Sequence, residues 1–257
     1  MSDYQLNEKQ LRGKLDYHYK YFDASQISPD PLEFPRRFER KNDIEISAFV
    51  SAVFAFGGVL QIEKILSKIH SLFGKSPLRF VKQFERSKKI SSDLYHRFYS
   101  SEDVKTFFLI LNEIYSNNGS LKKLFLTGCD KNDLNLKDSI SNFSKSILEI
   151  AENLSPLSDG VKFMFPNPYK GSACKRMNLF LRWMVRKDEL DFGLWKEIPA
   201  SKLLIPVDTH IARICRELGL TKRKNVSWKM AEEITENLKR FDADDPVKYD
   251  FAICHIG

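Results

Sequence analysis

The chain has few cysteines, and their arrangement is typical of neither a metal site nor a disulfide-stapled domain. Its four cysteines, among 257 residues, are widely scattered and form no CxxC pair. No histidine lies at metal-ligand spacing from an acid or a cysteine. We therefore expect reduced, mostly buried thiols, no metal and no cofactor. The cysteines are Cys129, Cys174, Cys215 and Cys254.

A long, uninterrupted apolar run is also lacking. The longest candidate, residues 44–62, is broken by Glu45, several serines and the pair Gly57-Gly58, so a membrane span is not expected. The first residues, MSDYQLNEKQLRGK, lack the apolar core of a signal peptide. The sequence predicts a cytoplasmic protein that does not bind membranes.

Strand-like alternation is scarce, and the readable periodicity is helical. Ile62, Ile65, Leu66 and Ile69 fall on one helical face, and the stretch from Ile44 to Phe56 is apolar on all sides. Only short turn-forming segments separate such stretches, and no repeat occurs at a fixed period. We predict an all-α protein in which the helix around Ile44 to Phe56 runs through the core.

The net charge of +7 is concentrated in one part of the chain. Residues 161–230 contain 15 of the 41 Lys and Arg residues but only 6 of the 34 Asp and Glu residues. A local excess of positive charge is either a solvated surface or a surface that binds a polyanion such as nucleic acid.

The stretch IPVDTHIARICRELGL places one carboxylate directly before an amphipathic helix. Asp208 is positioned to cap the free N–H groups of that helix. An acid fixed in this way is held in one orientation and is kept ionised by the helix dipole. Asp208 is therefore predicted to be a cap that is also able to take part in chemistry.

A second helix is predicted upstream, within NPYKGSACKRMNLFLRWMVRK, with Ser172 as its cap. This assignment places Lys175 and Arg176 in the first turn, where free backbone N–H groups and two cations would hold a phosphate. The helix dipole disfavours lysine at such a position, which indicates a ligand there.

These segments together resemble the helix-hairpin-helix (HhH-GPD) DNA glycosylase superfamily, which includes endonuclease III and 8-oxoguanine DNA glycosylase. VDTHIARI matches specifically, and DIEISAFVSAVFAFGGVLQIEKILSKI resembles the superfamily's first core helix and the turn after it. Over the whole length, FPRRF, GSACKR, FLRWMVR, DFGLW, IPVDTH and DPVKYDFA resemble an uncharacterised bacterial family distantly related to these glycosylases.

The chain departs from endonuclease III in three respects. Lys175 and Asp208 are 33 residues apart, a wider gap that is similar to that of the archaeal 8-oxoguanine DNA glycosylases. The loop PNPYKGS lacks the paired glycines of the usual LPGVG hairpin. No cysteine cluster follows Asp208, so we expect no iron–sulfur centre.

The resemblance implies a two-lobed helical bundle with a central cleft, in which residues 42–204 form a middle bundle and residues 1–41 with 205–257 form the second lobe. Lys175 would attack the C1′ carbon of a damaged nucleotide and form a Schiff base, and Asp208 would stabilise the developing positive charge or relay the proton. The implied substrate is double-stranded DNA with a damaged base, most typically an oxidised purine such as 8-oxoguanine, bound by a monomer associated with the nucleoid.

Two further sets of residues follow from this implied activity. A flipped base needs an aromatic pocket, and a DNA duplex needs cations and backbone donors for its phosphates. The candidates for the base pocket are Phe54, Phe56, Trp183, Tyr249 and Phe251. The candidates for DNA contacts are Lys170, Gly171, Ser172, Arg176, Arg182, Arg186, Lys222, Arg223 and Lys224.

Two other functions fit the same sequence. One is a catalytically inactive helix-hairpin-helix-like module that binds DNA or RNA. The other is a helical interaction protein whose basic face binds an acidic partner. Schiff-base trapping separates an enzyme from an inactive binding module, and salt-dependent DNA binding separates both from an interaction protein.

Overall fold

A computed structural model describes residues 7–21, 25 and 27–256, and in these residues the regular structure is helical. Extended backbone pairs there only in two isolated bridges, His96 with Tyr99 and Lys187 with Phe192, so the described residues form no sheet. The predicted all-α class is confirmed for this part of the chain. No described helix combines the length and the low polarity that a membrane crossing requires.

The contacts divide the chain into two compact units. The middle unit consists of residues 28–133 and 137–167, and the terminal unit consists of residues 1–27, 134–136 and 168–257 so far as they are described. The middle unit contains α2 (Lys41–Phe54), α3 (Val59–Phe73), α4 (Pro77–Lys82), α5 (Ser101–Glu113), α6 (Leu121–Leu126), α7 (Lys137–Leu154) and α8 (Asp159–Met164). The terminal unit contains α1 (Glu8–Tyr21), α9 (Lys175–Val185), α10 (Thr209–Glu217), α11 (Trp228–Lys239) and α12 (Asp250–Cys254).

Helix α2 is the core helix of the middle unit, as its all-round apolar sequence predicts. Every residue from Asp43 to Phe54 is buried, and α2 packs against α3 and α4. Its two buried acids are satisfied: Asp43 accepts from the backbone N–H of Leu78, and Glu45 accepts from the Tyr115 hydroxyl at 2.5 Å. The predicted break follows at Gly57, whose φ of 106° favours glycine.

The units divide the chain at different places from the predicted lobes. Helix α9 and the segment up to Leu204 belong to the terminal unit, whereas the predicted lobe boundary lies at residue 204. Ion pairs account for the grouping of α9, because Arg182 and Arg186 bond to Asp250 and Asp245 in the C-terminal segment. Residues 28–41 group with α2 in the middle unit instead of with the N-terminal helix.

Candidate active site

The loop before α9 turns sharply and delivers Lys175 to the first position of the helix. Gly171 has a φ of 84°, and Cys174, with a φ of 48°, is the N-cap residue in the left-handed region. Ser172 therefore lies outside the helix and is not its cap, and its hydroxyl accepts from the backbone N–H of Cys174 at 3.1 Å. The N-cap residue Cys174 makes no side-chain cap hydrogen bond to the first turn of α9.

Asp208 is the N-cap of α10, as predicted, and its two carboxylate oxygens have separate roles. One oxygen accepts from the backbone N–H of Ile211 at 2.9 Å. The other accepts from the ammonium group of Lys175 at 2.6 Å. Each side chain of this pair is 34% exposed, so the pair is accessible to a ligand.

The surroundings of Asp208 keep its carboxylate ionised. Partial burial by itself raises the pKa of Asp208, but the charge and hydrogen bond of Lys175 and the backbone N–H groups at the start of α10 outweigh it, and the net pKa is lower than usual. The site therefore presents a fixed anion beside a primary amine. Such a pair is able to stabilise positive charge and to hold or transfer a proton.

Three cations follow one another along one face of α9 and its C-cap. Lys175 and Arg182 lie within α9, seven residues apart on one stripe, and Arg186 is the C-cap residue four residues after Arg182. Lys175 is at the accessible end, whereas the side chains of Arg182 and Arg186 are 4% and 3% exposed. Acids face all three positions of the stripe.

The buried arginines form a network of ion pairs. Arg182 bonds Asp191 and Asp250, and Arg186 bonds Asp188, Asp191 and Asp245. Burial by itself lowers the pKa of each arginine, but the facing carboxylates outweigh it and hold both pKa values above the ordinary value. The prediction that Arg182 and Arg186 contact DNA phosphates is wrong, because these guanidinium groups are buried and already paired.

The other predicted DNA contacts divide by exposure. Arg176 is buried, with 9% of its surface exposed, so it does not present the surface cation that was predicted. Ser172 is half-buried, and the remaining predicted contacts are exposed; Arg223 among them also pairs with Glu233 at 2.6 Å. The exposed members are Lys170, Gly171, Lys222, Arg223 and Lys224.

Four of the five predicted base-pocket aromatics lie in the core. Phe54, Trp183 and Tyr249 are at most 1% exposed, and Phe251 is 6% exposed. A flipped base stacks on an accessible ring face, so the pocket assignment is wrong for these four. Their apolar surfaces are used for folding, for instance where Phe54 contacts Tyr99 and Phe107.

Phe56 alone among the five is half-buried, and it belongs to a surface that the sequence analysis did not single out. The guanidinium of Arg97 lies 5.8 Å from the ring of Phe56 and 5.5 Å from that of Phe98. Phe98 and Tyr95 are more than 60% exposed. The signal in the sequence is the cluster YHRFY, in which His96 and Arg97 lie between aromatic residues. Arg97 also borders a cavity of about 340 Å³ in the middle unit that Lys64, Lys68 and Tyr95 help to line.

The sequence analysis also missed the acids that face the α9 stripe. Asp191 and Asp250 are 2% and 3% exposed, which is rare for carboxylates unless they are paired. Helical spacing in α9 would have shown that Lys175, Arg182 and Arg186 share a face. No local pattern, however, identifies which distant acids meet it.

The cysteine predictions are partly confirmed. All four thiols are free, as expected, but only Cys174 and Cys215 are buried, while Cys129 and Cys254 are half-buried. Within the described residues no group of three or more His, Cys, Asp or Glu side chains is arranged to hold a metal ion.

Fold and site together define a helical protein with an accessible Lys–Asp pair built from the starts of two helices. The chain belongs to the family described as "Protein of unknown function (DUF2400)", which matches residues 30–257. Comparison with curated proteins and with solved structures gave no match.

Proposed function

We propose that the protein is a DNA glycosylase with an associated lyase activity on abasic sites, of the HhH-GPD type. The observation that carries the proposal is the contact between Lys175 at the first position of α9 and Asp208 at the cap of α10. The resemblance of GSACKR and IPVDTH to the lysine and aspartate segments of those glycosylases supports it. A two-lobed arrangement around a cleft is part of this proposal.

The proposed reaction uses both side chains of the pair. The neutral amine of Lys175 attacks C1′ of the deoxyribose, and the glycosidic bond breaks with its electron pair leaving on the base, which takes up a proton. Opening of the sugar ring gives an imine between Nζ and C1′. Loss of a proton from C2′ then expels the 3′ phosphate, and water releases the lysine. Asp208 stabilises the positive charge that develops on the sugar.

The pair as it stands also indicates what must change when substrate binds. The Lys175 ammonium donates to Asp208, whereas attack on C1′ requires a free amine. The proton must therefore leave Lys175 before the attack, and Asp208 is the acceptor in contact with it. Asp208 must pass this proton on, to the departing base or to solvent, before its carboxylate is able to stabilise positive charge. Movement of the amine toward C1′ frees one oxygen of Asp208 to face the sugar, while the other stays on the backbone of Ile211.

The exposed cations of the terminal unit support DNA as the substrate. Lys170 and Gly171 lie before α9, near the helix N-terminus, where the cap residue Cys174 makes no side-chain cap hydrogen bond. Lys222, Arg223 and Lys224 form a second exposed cluster before α11. We propose that these groups bind the phosphates of duplex DNA. The 33-residue gap favours an oxidised purine such as 8-oxoguanine as the excised base, by analogy with the archaeal enzymes.

Borohydride trapping tests the proposal directly. Borohydride reduces the imine and leaves a covalent complex between protein and DNA, so the wild-type protein should be trapped on a duplex with an abasic site or a matching lesion. Lys175→Gln removes the amine and should abolish trapping while DNA affinity changes only a few-fold. Lys196→Gln, an exposed lysine of the same unit that the site does not use, is the control and should be trapped normally.

The opposite results have definite meanings. Undiminished trapping of Lys175→Gln would overturn the assignment of the nucleophile. Salt-dependent DNA binding without trapping on any lesion of a panel would instead favour the inactive binding module. The hydrogen bond between the Lys175 ammonium and Asp208 is equally compatible with an inactive binding module. The trapping assay, and not DNA binding, therefore distinguishes the two functions.

A further inference from the structure

The cavity of about 340 Å³ in the middle unit is lined by two segments, one face of α3 and the loop before α5. Three polar lining residues of α3 are spaced by three and four residues, so they share a face of the helix. The volume lies within the range of small-molecule sites, which is about 300–1,000 Å³. The polar and aromatic side chains that matter below are Gln61, Lys64 and Lys68 of α3 and Asp93, Tyr95 and Arg97 of the loop.

The loop holds Arg97 in a backbone conformation that a bulky residue rarely adopts. Its φ is 54°, in the left-handed region that favours glycine. The backbones of His96 and Tyr99 bond each other at 2.9 Å in both directions, and the His96 ring bonds the carbonyl of Phe56 at 2.8 Å. A Cβ on Gly57 would lie 2.8 Å from Cδ of Arg97, so the glycine leaves room for this side chain. Such strained residues persist where the surrounding structure fixes them, and they are concentrated at ligand sites.

Two of the three lysine and arginine side chains that line the cavity have no acid partner. Lys68 donates to the carboxylate of Asp93 at 2.5 Å. Within the described part of the chain, neither Lys64 nor Arg97 forms an ion pair, and Asp93 is the one acid of the lining. The cavity therefore has a net positive charge. A phosphate group suits such a site, because lysine and arginine both donate charge-assisted hydrogen bonds to its oxygens.

An exposed aromatic ring lies in the same lining. Tyr95 is 64% exposed, and in the described residues its ring contacts no other ring and no cation. Nucleobases stack on the faces of tyrosine rings and of arginine guanidinium groups. The side chain of Asp93 is 58% exposed, so its carboxylate is able to accept a hydrogen bond from a sugar hydroxyl. The cavity thus combines groups for a phosphate, a base and a sugar.

We propose that this cavity binds a nucleoside monophosphate. Lys64 and Arg97 bind the phosphate, the base stacks on Tyr95, and Asp93 accepts from the sugar. A nucleic-acid strand would need a series of cations and rings along a groove, whereas these groups converge on one cavity of small volume. The proposal goes beyond the glycosylase function and does not depend on the Lys175–Asp208 pair.

Titration calorimetry of the full chain with each of the four ribonucleoside 5′-monophosphates tests the proposal. At least one of them should bind saturably, and more tightly than both its nucleoside and inorganic phosphate, because neither fragment reaches the ring and the cations together. Absence of saturable binding for all four up to about 1 mM, or equal affinity for inorganic phosphate, would overturn the proposal.

Substitutions in the lining locate the binding. Lys64→Gln and Arg97→Gly should each weaken binding about tenfold or more, since each removes a charge-assisted contact. Arg97→Gly also places glycine at a left-handed position, and Lys64 is on an exposed helix face, so both variants should fold. Tyr95→Leu removes the stacking ring and should weaken binding about fivefold or more.

Lys88→Gln is the matched control. Lys88 is an exposed cation of the same unit that lies 4.7 Å from the ring centroid of Phe80, but it does not line the cavity. Its replacement should leave the affinity unchanged. Equal weakening by Lys88→Gln and Lys64→Gln would refute the proposed site, because it would indicate nonspecific attraction of the anion.

A short single-stranded oligonucleotide distinguishes a nucleotide site from part of a nucleic-acid surface. If the oligonucleotide binds and Lys64→Gln weakens its binding, while no monophosphate binds, the cavity belongs to a nucleic-acid surface and the proposal is wrong. The result is also separate from the trapping assay. Binding of a monophosphate by a protein that is never trapped on DNA supports this site and rejects the lyase function.

Discussion

Replacing Asp208 separates its role as a helix cap from its proposed role in chemistry. Asp208→Asn keeps a side-chain acceptor for Ile211 but removes the negative charge, whereas Asp208→Ala removes both. Asn and Asp cap about equally well, and loss of a cap costs about 1 kcal/mol of the free energy of unfolding. The pair with Lys175 is one-third exposed, so its loss adds at most about 1 kcal/mol.

The expected effects on stability and on the reaction rate therefore differ. Asp208→Asn should lose less than about 1 kcal/mol of stability and Asp208→Ala about 1–2 kcal/mol. Both variants should slow the chemical step by about a hundredfold or more, as when a preorganised charge-stabilising group is removed. Denaturant unfolding gives the stability, and single-turnover trapping at saturating protein gives the rate.

Ser227→Ala is the matched control for the cap. Ser227 caps α11 in the same unit and accepts from the backbone N–H of Met230 at 3.3 Å. Its loss should lower stability by about 1 kcal/mol and leave the trapping rate unchanged. If Ser227→Ala slows trapping as much as Asp208→Asn does, or if Asp208→Asn reacts at the wild-type rate, the proposed chemical role of Asp208 is refuted and Asp208 is a cap only.

Three further predictions concern stability and binding. Burial lowers the pKa of His70 from 6.5 to about 4, so unfolding takes up a proton between these pH values. The contribution of His70 to the free energy of unfolding is therefore complete above pH 6.5 and falls by about 3 kcal/mol toward pH 4. Urea unfolding of His70→Gln should show a flatter pH dependence. Replacing Lys222, Arg223 and Lys224 together with glutamine should weaken binding to all DNA sequences and reduce the log–log salt slope by roughly one unit per lost phosphate contact; an unchanged slope removes the cluster from the interface. Gly160→Ala would place its Cβ 2.2 Å from an Asp103 oxygen and 2.9 Å from the backbone oxygen of Phe98. The free energy of unfolding should therefore fall by about 1–3 kcal/mol, and a melting curve equal to that of the wild type would contradict this expectation.

The sequence by itself determined the features that depend on local spacing. Helical periodicity identified α3, the stretch that is apolar on all sides identified α2, and the pair Gly57-Gly58 identified the break after α2, where Gly57 has a φ of 106°. The cap at Asp208 follows from an acid placed directly before an amphipathic stretch. Each of these signals lies within a few residues, so no tertiary information is needed to read it.

The predicted cap at Ser172 shows where local signals compete. Serine is a preferred cap, yet the loop continues through a left-handed Cys174, and the helix begins at Lys175. Cysteine in that conformation is uncommon, and propensity therefore favoured the wrong residue. The position of Lys175 in the first turn was still predicted, because the two candidate starts differ by less than one turn.

Tertiary structure alone decided which charges and rings face solvent. Lys175, Arg182 and Arg186 are indistinguishable as cations in the sequence, but only Lys175 is accessible, because acids 2 to 68 residues away along the chain enclose the two arginines. The same holds for Trp183 and Tyr249, which are as suitable in type for a base pocket as for the core. Burial depends on which distant segments pack together, and the residue types along the sequence do not by themselves indicate which segments those are.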